Sequence, residues 1–337
     1  MLAPASHTPL DRLARQQGEN LSLADLVGAG LDQIAFPGSG ATLQRWRRLA
    51  EVAALDLSLV KLYEGHTDAL AILNELRGAP APAGSRWGTW CSEPPSARLA
   101  FTPLDRLEPG ARVRVSGTKA WCSGADQVTH AVVSGWAPDA TQWLIAIEMD
   151  QSSIEVTDQG WQAVGMRDSA SVDVRFDAAD AVLLGAAGQY TSRAGFWQGG
   201  AGIAACWFGG ARGIAEQVRE GTTPKSDAHR LAHLGAIDVA STAAAAALRE
   251  AASWIDAHPQ ANAMSVAMRA RLIVEHACAE VLAHAGRAAG AGPLCRDRSF
   301  ARAMADLPVY LRQSHAERDL AALGEVVSKE ASNPWML

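Results

Sequence analysis

The chain has 337 residues, of which 48% are hydrophobic and 20% charged, with a formal net charge of -6. This length allows two or three compact units with a large buried core. An acidic chain without a basic stripe disfavours nucleic acid as a partner, and the chain has no uninterrupted apolar run long enough to predict a membrane span. The five cysteines are scattered without a CxxC pair, and the N-terminus does not resemble a signal peptide, so we expect a cytoplasmic protein without a zinc site or disulfides.

The first segment of the chain has the pattern of helices. Between residues 8 and 76, and most clearly over 42–76, apolar residues recur at three- and four-residue spacing. The stretch "RGAPAPAGS" at 77–85 is a Pro/Gly/Ala break typical of a linker. We therefore expect an N-terminal helical domain over residues 1–80.

The middle of the chain changes to a period of two. Six short runs of β type, separated by turn residues, occur within about 100 residues. They are "ARVRVSG", "HAVVSGW", "QWLIAIEM", "SSIEV", "SVDVRF" and "AVLL". The pattern predicts a compact antiparallel barrel or sandwich, forming a middle β domain over residues 85–187.

The last third returns to helical periodicity. Helices are predicted over 199–220, 232–257, 263–290 and, in more than one piece, 297–330, where Pro308 lies near a boundary. The first of these is rich in Gly and Ala, and small residues at helical spacing let two helices approach closely. We expect a bundle of about four helices over residues 188–337, and hence an α+β multidomain fold with a helical, a β-barrel and a helical-bundle domain.

Four sequence segments resemble motifs of the acyl-CoA dehydrogenase family, in the family's order. "CSEPPS" (91–96) resembles its T/S-E-P segment, "SGTKAWCSGADQVTHAVV" (116–133) its G-x-K-x-W strand and turn, and "VGMRDSASVDVRFDAADAVLLG" (164–185) its G-x-R-x-S segment. "GAGP" followed by "ARAMADLPVY" resembles its G-G-x-G stretch and R-D region. The resemblance covers roughly residues 85 to 325 and implies the three-domain layout of that family.

The resemblance implies an FAD held between the β domain and the helical bundle. A flavin ring is flat and amphipathic, so it needs an aromatic wall and hydrogen-bonding groups at its polar edge. By motif position Trp121 is that wall, Ser123 hydrogen-bonds the ring and Ser92 is a second hydroxyl near it. The alternatives are a buried strand residue for Trp121 and turn residues for the two serines.

The same resemblance assigns Gly290 and Gly292 to the FAD pyrophosphate, because glycine lets backbone approach a ligand closely. In the family this contact crosses to a second subunit, so a homodimer or homotetramer is implied. The alternative for "AAGAGP" is a helix end followed by a loop.

The sequence departs from the family at three positions that concern flavin binding. "SAR" (96–98) stands where the family has G-S-D, Gly286 stands where a Gln is expected, and Leu234 replaces an aromatic residue that reaches the neighbouring subunit's FAD. Weaker flavin binding or a more open pocket is expected.

The catalytic base of the family is also missing. In most members a Glu follows the R-D region by eight residues and removes the α-proton of an acyl thioester. Counting from Asp306 reaches Ser314, with His315 next to it. His315 is the predicted replacement, since histidine carries protons near neutral pH, and Glu220 is a weaker candidate at the family's second location for the base.

Two carboxylates near His315 belong to the same prediction. Glu317 or Asp319 would orient His315 or act in its place. The alternative is that the charged residues of "LRQSHAERDL" (311–320) form a solvated helix face with i,i+4 pairs.

Three functions follow from these observations. The expected one is oxidation of an acyl-CoA or other acyl thioester to its α,β-unsaturated product, with electrons passed to an electron-transfer flavoprotein. The second is a flavin monooxygenase of the same fold, since such enzymes lack the Glu and have a His near the flavin, as Ser314 and His315 would provide. The third is a non-catalytic relative that binds a flavin, a thioester or a partner protein.

Overall fold

The computed structural model describes residues 8–330, 333, 335 and 336. The chain folds into two compact units. We call the first the barrel unit; it contains the residues up to Ile34, Ser58–Gln162 and Arg167–Phe196. The second, the bundle unit, contains Ala35–Leu57, Ala163–Met166 and the residues from Trp197 onward. The domain limits expected at residues 80 and 187 stay a prediction.

The N-terminal segment is helical, as predicted. Its helices are α1 (Pro9–Gln17), α2 (Leu23–Gly28), α3 (Thr42–Leu55) and α4 (Leu57–Glu75). The first two each begin with a capping box, in which the N-cap hydroxyl and an aspartate three residues later satisfy each other's backbone N–H groups. This local signal fixes where α1 and α2 start.

The β region closes into a barrel. Strand pairs β4–β2, β2–β3, β3–β7, β7–β5 and β5–β4 form a complete ring, with β1 parallel to β4 and β6 antiparallel to β7. The strands are β1 (Trp87–Trp90), β2 (Ala100–Pro103), β3 (Arg112–Cys122), β4 (His130–Trp136), β5 (Gln142–Glu148), β6 (Ile154–Val156) and β7 (Val172–Leu184). The predicted runs "SVDVRF" and "AVLL" are one strand, β7, and the short strands β1 and β2 come in addition to the six predicted runs.

Within the barrel unit, one face of α4 covers the barrel. Ile72 and Leu73 of α4, and Leu76 just after it, belong to a buried apolar cluster that includes residues from four strands. Burying such side chains stabilises the fold by about 1.5–3 kcal/mol each. The remaining members of the cluster are Ala69, Trp87, Val132, Leu144 and Leu184.

The C-terminal region is helical, as predicted, and three of its helices exceed 25 residues. The helices from the end of β7 onward are α5 (Gln189–Ser192), α6 (Gly195–Glu220), α7 (Ala228–Ala257), α8 (Met264–Ala289), α9 (Ala291–Arg296), α10 (Arg298–Tyr310) and α11 (Glu317–Lys329). Pro308 lies inside the last turn of α10, near the end of that helix. A single 3-10 turn, Leu311–Gln313, follows it.

Helix α6 approaches α3 at glycine positions, as its composition predicts. A Cβ at Gly209 would overlap the backbone of Ala50, and one at Gly213 would lie 2.9 Å from the carbonyl oxygen of Ala54. Both distances are shorter than side chains tolerate. The two helices therefore pack backbone to backbone.

Helix α7 is apolar but largely exposed. Among the described residues it is the one helix long and apolar enough to cross a membrane, with a mean hydropathy of 1.4 over 18 residues of which 17% are buried. Val239 is 70% exposed and Leu231 40%. A helix that packs against another protein chain meets the same criteria of length and composition.

Candidate functional site

Trp121 stands at a bulge near the end of strand β3. The pairing of β3 with β7 shifts register between Lys119 and Cys122, and Trp121 has a φ of 59°. A bulky residue rarely adopts this left-handed conformation, which is found mainly at turns and functional sites. The side chain is 51% exposed. The alternative of a buried strand residue is therefore wrong, while its predicted role as an aromatic wall stays a prediction.

Ser123 opens a row of buried hydroxyl groups. Its Oγ lies 2.7 Å from the Oγ of Ser171, which lies 3.0 Å from the Oγ of Ser169. The backbone around Ser123 is held as well, because Trp90 Nε1 donates to its carbonyl oxygen at 3.1 Å and Gly124 N donates to the carbonyl oxygen of Ser169 at 2.8 Å. The hydroxyl of Ser123 is thus fixed two residues from the indole of Trp121.

Ser92 is exposed, whereas the next residue is part of a largely buried ionic network. Glu93 Oε1 lies 2.7 Å from Lys119 Nζ, and Glu93 Oε2 accepts from Trp136 Nε1 at 2.8 Å. Burial would raise the pKa of Glu93, but hydrogen bonds from Lys119, Ser134 and Trp136 outweigh it and lower this pKa. Sequence reasoning missed the pair, although both residues stand inside the motifs "CSEPPS" and "SGTKAW".

Arg193 is a second buried charge, and it lies near Cys91, the residue before Ser92. Arg193, whose side chain is 3% exposed, donates from Nη1 to Glu75 Oε2 at 2.7 Å, and Glu75 Oε1 accepts from the backbone of Gly195 at 2.9 Å. In this cluster burial raises the pKa of Cys91 to about 11, against the opposing effect of Lys119. The Cys91 thiol is therefore protonated at neutral pH. No local pattern in the sequence signals these contacts.

In the bundle unit, the predicted base lies on the bend between α10 and α11. The His315 side chain is 60% exposed, its Nδ1 lies 3.4 Å from Asp319 Oδ1, and its backbone N–H donates to Asp319 Oδ2 at 3.1 Å. Ser314, before it, is buried, and Ala316, after it, has a φ of 47°. Of the two carboxylates expected to orient His315, Asp319 contacts it and Glu317 is exposed at the start of α11.

The expected solvated helix face is present in part. His315 and Asp319 form its i,i+4 pair, while Arg312 pairs instead with Glu275 of α8 at 2.8 Å. Glu220, the weaker candidate for the base, is the exposed last residue of α6. Both His315 and Glu220 stay predictions.

Arg271 on α8 fixes the bend in place. Its Nη1 donates to the carbonyl oxygen of Gly200 at 2.8 Å and its Nη2 to that of Gln313 at 3.2 Å. The guanidinium also lies over the ring of Trp207, 4.8 Å from its centroid. One side chain thus ties α6, α8 and the turn that leads into Ser314.

The two glycines assigned to a pyrophosphate end one helix and begin another. Gly290 has a φ of 68° and terminates α8, which by itself favours glycine there. Gly292 lies within α9, and within this chain a Cβ on either glycine would meet nothing within 4 Å. Their predicted role toward a ligand stays a prediction.

Comparison with known proteins identifies the fold. No family model and no curated protein matches the chain. Methanesulfinate monooxygenase MsuC from Pseudomonas fluorescens has a TM-score of 0.79 at 18% identity, covering 97% of this chain and 98% of its own. Dibenzothiophene monooxygenase TdsC from Paenibacillus sp. A11-2, also solved with FMN bound, has a TM-score of 0.77 at 20% identity, covering 92% and 90%.

A third similar structure is nitrososynthase from Micromonospora carbonacea var. africana. It has a TM-score of 0.74 at 16% identity and covers 91% of this chain and 88% of its own. Of the three, TdsC is the one whose structure is described with FMN, and TdsC and MsuC are named as monooxygenases. At these identities the likeness concerns the fold, which the four sequence motifs also indicate. The chain therefore shares the fold of these three enzymes.

Proposed function

We propose that this protein is a flavin-dependent monooxygenase that binds FMN and oxygenates a small organic substrate. The observation that carries the proposal is the likeness to two enzymes named as monooxygenases, over at least 90% of each chain. The sequence agrees with it, since Ser314 and His315 stand where an acyl-CoA dehydrogenase has its Glu. The residue that removes a thioester α-proton is therefore absent from that position.

The residues of the barrel unit fit a flavin. Trp121 presents half of its surface outward on a strained bulge, Ser123 holds a hydroxyl two residues away, and Ser92 is exposed. A flat, amphipathic ring needs this combination of aromatic surface and hydrogen-bonding groups. We expect Trp121 to cover the ring and the two serines to contact its polar edge.

FMN is a better match to this chain than the FAD that the family resemblance implies. FMN lacks the pyrophosphate and adenosine, so the contacts that the family makes with those groups are not required. Gly286 and Leu234 replace the Gln and the aromatic residue of the family, and Gly290 is explained by the end of α8. These changes support FMN, which is the flavin in the TdsC structure.

When bound and reduced, the flavin supplies the two electrons with which one atom of O2 becomes water while the other enters the substrate. The chain's own residues bind, orient and move protons. The buried row formed by Ser123, Ser171 and Ser169 keeps each hydroxyl paired, so the row holds the Ser123 oxygen in place.

His315 is the proposed proton carrier of the reaction. Its Nδ1 faces Asp319 at 3.4 Å, so the carboxylate orients the ring and Nε2 is the nitrogen left to serve the substrate. Asp319 fixes the ring further by accepting the backbone N–H of His315. The arrangement is that of a general acid–base histidine oriented by a carboxylate.

Desaturation of an acyl thioester is the second candidate. It is favoured by the four family motifs in their order between residues 91 and 310. It would use His315, Glu317 or Glu220 as the base and pass electrons to an electron-transfer flavoprotein.

One experiment identifies the cofactor. The purified protein is denatured and the released flavin is identified by chromatography; FMN and FAD are then titrated separately onto the flavin-free protein. We expect tighter binding of FMN, measured by quenching of its fluorescence. Tighter binding of FAD would overturn the choice of FMN, and no binding of either would overturn the proposed function.

A second experiment separates the two candidate reactions. The loaded enzyme is incubated with reduced FMN, isotopically labelled O2 and a panel of organosulfur and aromatic compounds, and products are analysed by mass spectrometry. Incorporation of one labelled oxygen supports the monooxygenase. Anaerobic bleaching of the flavin by an acyl-CoA, without labelled product, would support the desaturase instead.

Replacement of His315 tests its role directly. We expect His315→Ala to lower turnover about 100-fold, the usual contribution of a general acid–base group, with the FMN affinity unchanged. The control is Glu325→Gln, which removes an exposed charge paired with Lys329 on α11. Unchanged turnover of His315→Ala with FMN bound would remove this residue from the mechanism.

A further inference from the structure

Lys119 is a fully buried ammonium group in the barrel. Its side chain is 0% exposed, and Nζ lies 2.7 Å from Glu93 Oε1, 2.8 Å from Ser134 Oγ and 3.2 Å from the Ser134 carbonyl oxygen. An ammonium group has three hydrogens, so every donor is used. Burying a charge is unfavourable unless it is paired and hydrogen-bonded to this degree. A single apolar side chain would fill the same space without that requirement.

The Glu93 carboxylate accepts hydrogen bonds from side chains on two strands. Oε1 accepts from Lys119 of β3 and from the Ser134 hydroxyl of β4, and Oε2 accepts from Trp136 Nε1, also of β4, at 2.8 Å. Arg98 Nε lies 3.8 Å from the same Oε2. The carboxylate thus fastens the loop after β1, which carries Ser92, to the middle of the barrel.

Lys119 also stands at the first residue of the bulge that displays Trp121. After Trp121 the chain turns inward again at Cys122, which is 0% exposed and whose Sγ donates to the Lys119 carbonyl oxygen at 3.2 Å. Trp121, with its strained φ, therefore lies between two buried residues, Lys119 and Cys122, that contact each other across the bulge. A strained residue persists only where its surroundings hold it in this way.

We propose that Lys119 and Glu93 are positioning residues of the proposed flavin site. Their buried ion pair holds the Trp121 bulge and the Ser92 loop on one framework, and they act through these two segments without contacting the flavin themselves. The inference rests on the proposed function for its ligand. The anchoring of the two segments is a property of the chain that is measured without flavin.

The test uses Lys119→Met, which keeps the aliphatic stem and removes the charge. Its control is Arg175→Met on β7 of the same barrel, which removes the exposed ion pair with Glu155 of β6. Hydrogen exchange of the flavin-free proteins is followed by mass spectrometry. We expect faster exchange in Lys119→Met over 91–98 and 119–124, unchanged exchange over strand β5 (142–148), and no change in Arg175→Met.

The second measurement is the binding of FMN to the same proteins. We expect about a tenfold or larger loss of affinity in Lys119→Met, because small misplacements of binding groups are costly. Bound FMN should also fluoresce more strongly in this variant, since a displaced indole quenches it less. A residue that only stabilised the fold would leave this quenching unchanged in the folded protein.

Hydrogen exchange tests the positioning role of Lys119 and Glu93, and flavin binding tests the proposed function. Unchanged exchange at 119–124, or faster exchange throughout the barrel, overturns the positioning role whatever the flavin result. If the wild-type protein binds neither FMN nor FAD, the proposed function fails while the exchange data still decide the anchoring. Should Lys119→Met fail to fold, Glu93→Gln is examined instead, because it keeps the side-chain size and an acceptor for Lys119.

Discussion

At the scale of single residues, the backbone of Trp121 carries the most information about function. A left-handed conformation costs a residue with a Cβ about 1–2 kcal/mol, and here it exposes a large aromatic side chain. Folding alone gains nothing from either feature. The strain is explained if the exposed indole serves a ligand.

Substituting Trp121 by glycine and by alanine separates strain from binding. Glycine adopts the φ of 59° freely, whereas alanine does not. We expect Trp121→Gly to be more stable than Trp121→Ala by about 1 kcal/mol, or about 1–2 °C in Tm for a protein of this size, while both variants lose FMN affinity. Calorimetry and FMN titration measure the two effects, and an alanine variant at least as stable as the glycine variant would contradict the argument.

His66 makes the stability of the barrel unit dependent on pH. It is 1% exposed, its Nδ1 accepts from the backbone N–H of Trp87 at 3.1 Å, and its Nε2 lies 3.3 Å from Asp32 Oδ2. Burial lowers the pKa of His66, and Asp32 opposes that effect only in part. The neutral imidazole is therefore the form that the fold favours.

Because the pKa of His66 is lowered in the folded protein, the protein becomes less stable as the pH falls. A histidine whose pKa is lower in the folded state stabilises the fold above its unfolded pKa of about 6.5, and the stabilisation is lost as the pH falls below that value. We expect the free energy of unfolding in urea to fall between about pH 7.5 and about pH 5.5, and His66→Gln to reduce this fall. His258→Gln, at an exposed position, is the control, and an equal fall in His66→Gln and wild type would contradict the role of His66.

The family resemblance pointed to residues within motifs but not to their distant partners. Trp121 and Ser123 were assigned by their position in a motif that resembles the acyl-CoA dehydrogenase family, and the bulge places one outward and the other in a buried hydroxyl row. The pairing of Glu93 with Lys119 joins residues 26 positions apart. No local pattern encodes such a contact, because it depends on how the strands close into a barrel.

At the scale of helices and strands, α6 shows how glycine sets the distance between two helices. Gly209 faces α3 with no room for a Cβ, whereas Gly200 on the same helix has nothing within 4 Å of one. Identical substitutions at these positions should therefore have opposite effects.

We expect Gly209→Ala to destabilise the protein by about 1–3 kcal/mol, the usual cost of overpacking. Gly200→Ala should stabilise it by up to about 1 kcal/mol, because alanine favours helix. Urea unfolding measures both, and equal shifts of the same sign would show that close packing of α6 on α3 does not determine the result.

The same scale shows where sequence patterns fail. Strands β1 and β2 have four residues each, too few for an alternating pattern to be recognised. Strand β7 reads as two runs because "DAAD" interrupts its alternation, yet the strand continues through Ala178, which has a φ of 53°. The long helices were predicted because their period is repeated over many turns.

At the scale of the whole molecule, the exposed apolar face of α7 leads us to expect assembly with a second copy of the chain. Exposed apolar patches usually mark interfaces, and Val239 and Leu231 lie on this helix. The homodimer or homotetramer implied by the family resemblance would place such a face against protein rather than water.

A charge on α7 tests this assembly. We expect Val239→Glu to lower the mass of the particle in light scattering, with unchanged helix content by circular dichroism. Val164→Glu is the control, since Val164 is 87% exposed in a loop. A wild-type protein that is monomeric at all concentrations, or a Val239→Glu variant that retains the wild-type mass, would exclude this interface.

The overall fold was predictable because motif order and the succession of helices, strands and helices agree over most of the chain. The reaction was less predictable from the sequence than the fold. The motifs imply a flavin, but the choice between a thioester and oxygen as its reaction partner depends on a few residues at one bend, where Ser314 and His315 depart from the family.

The high pKa of Cys91 matters for a protein that would handle oxygen. Reduced flavins leak peroxide, and peroxide attacks the thiolate form of cysteine. Burial keeps Cys91 protonated, and it raises the pKa of Cys122 and Cys278 further still. These three thiols are thus protected from peroxide. Oxidation would occur first at Cys295, the exposed thiol near the end of α9.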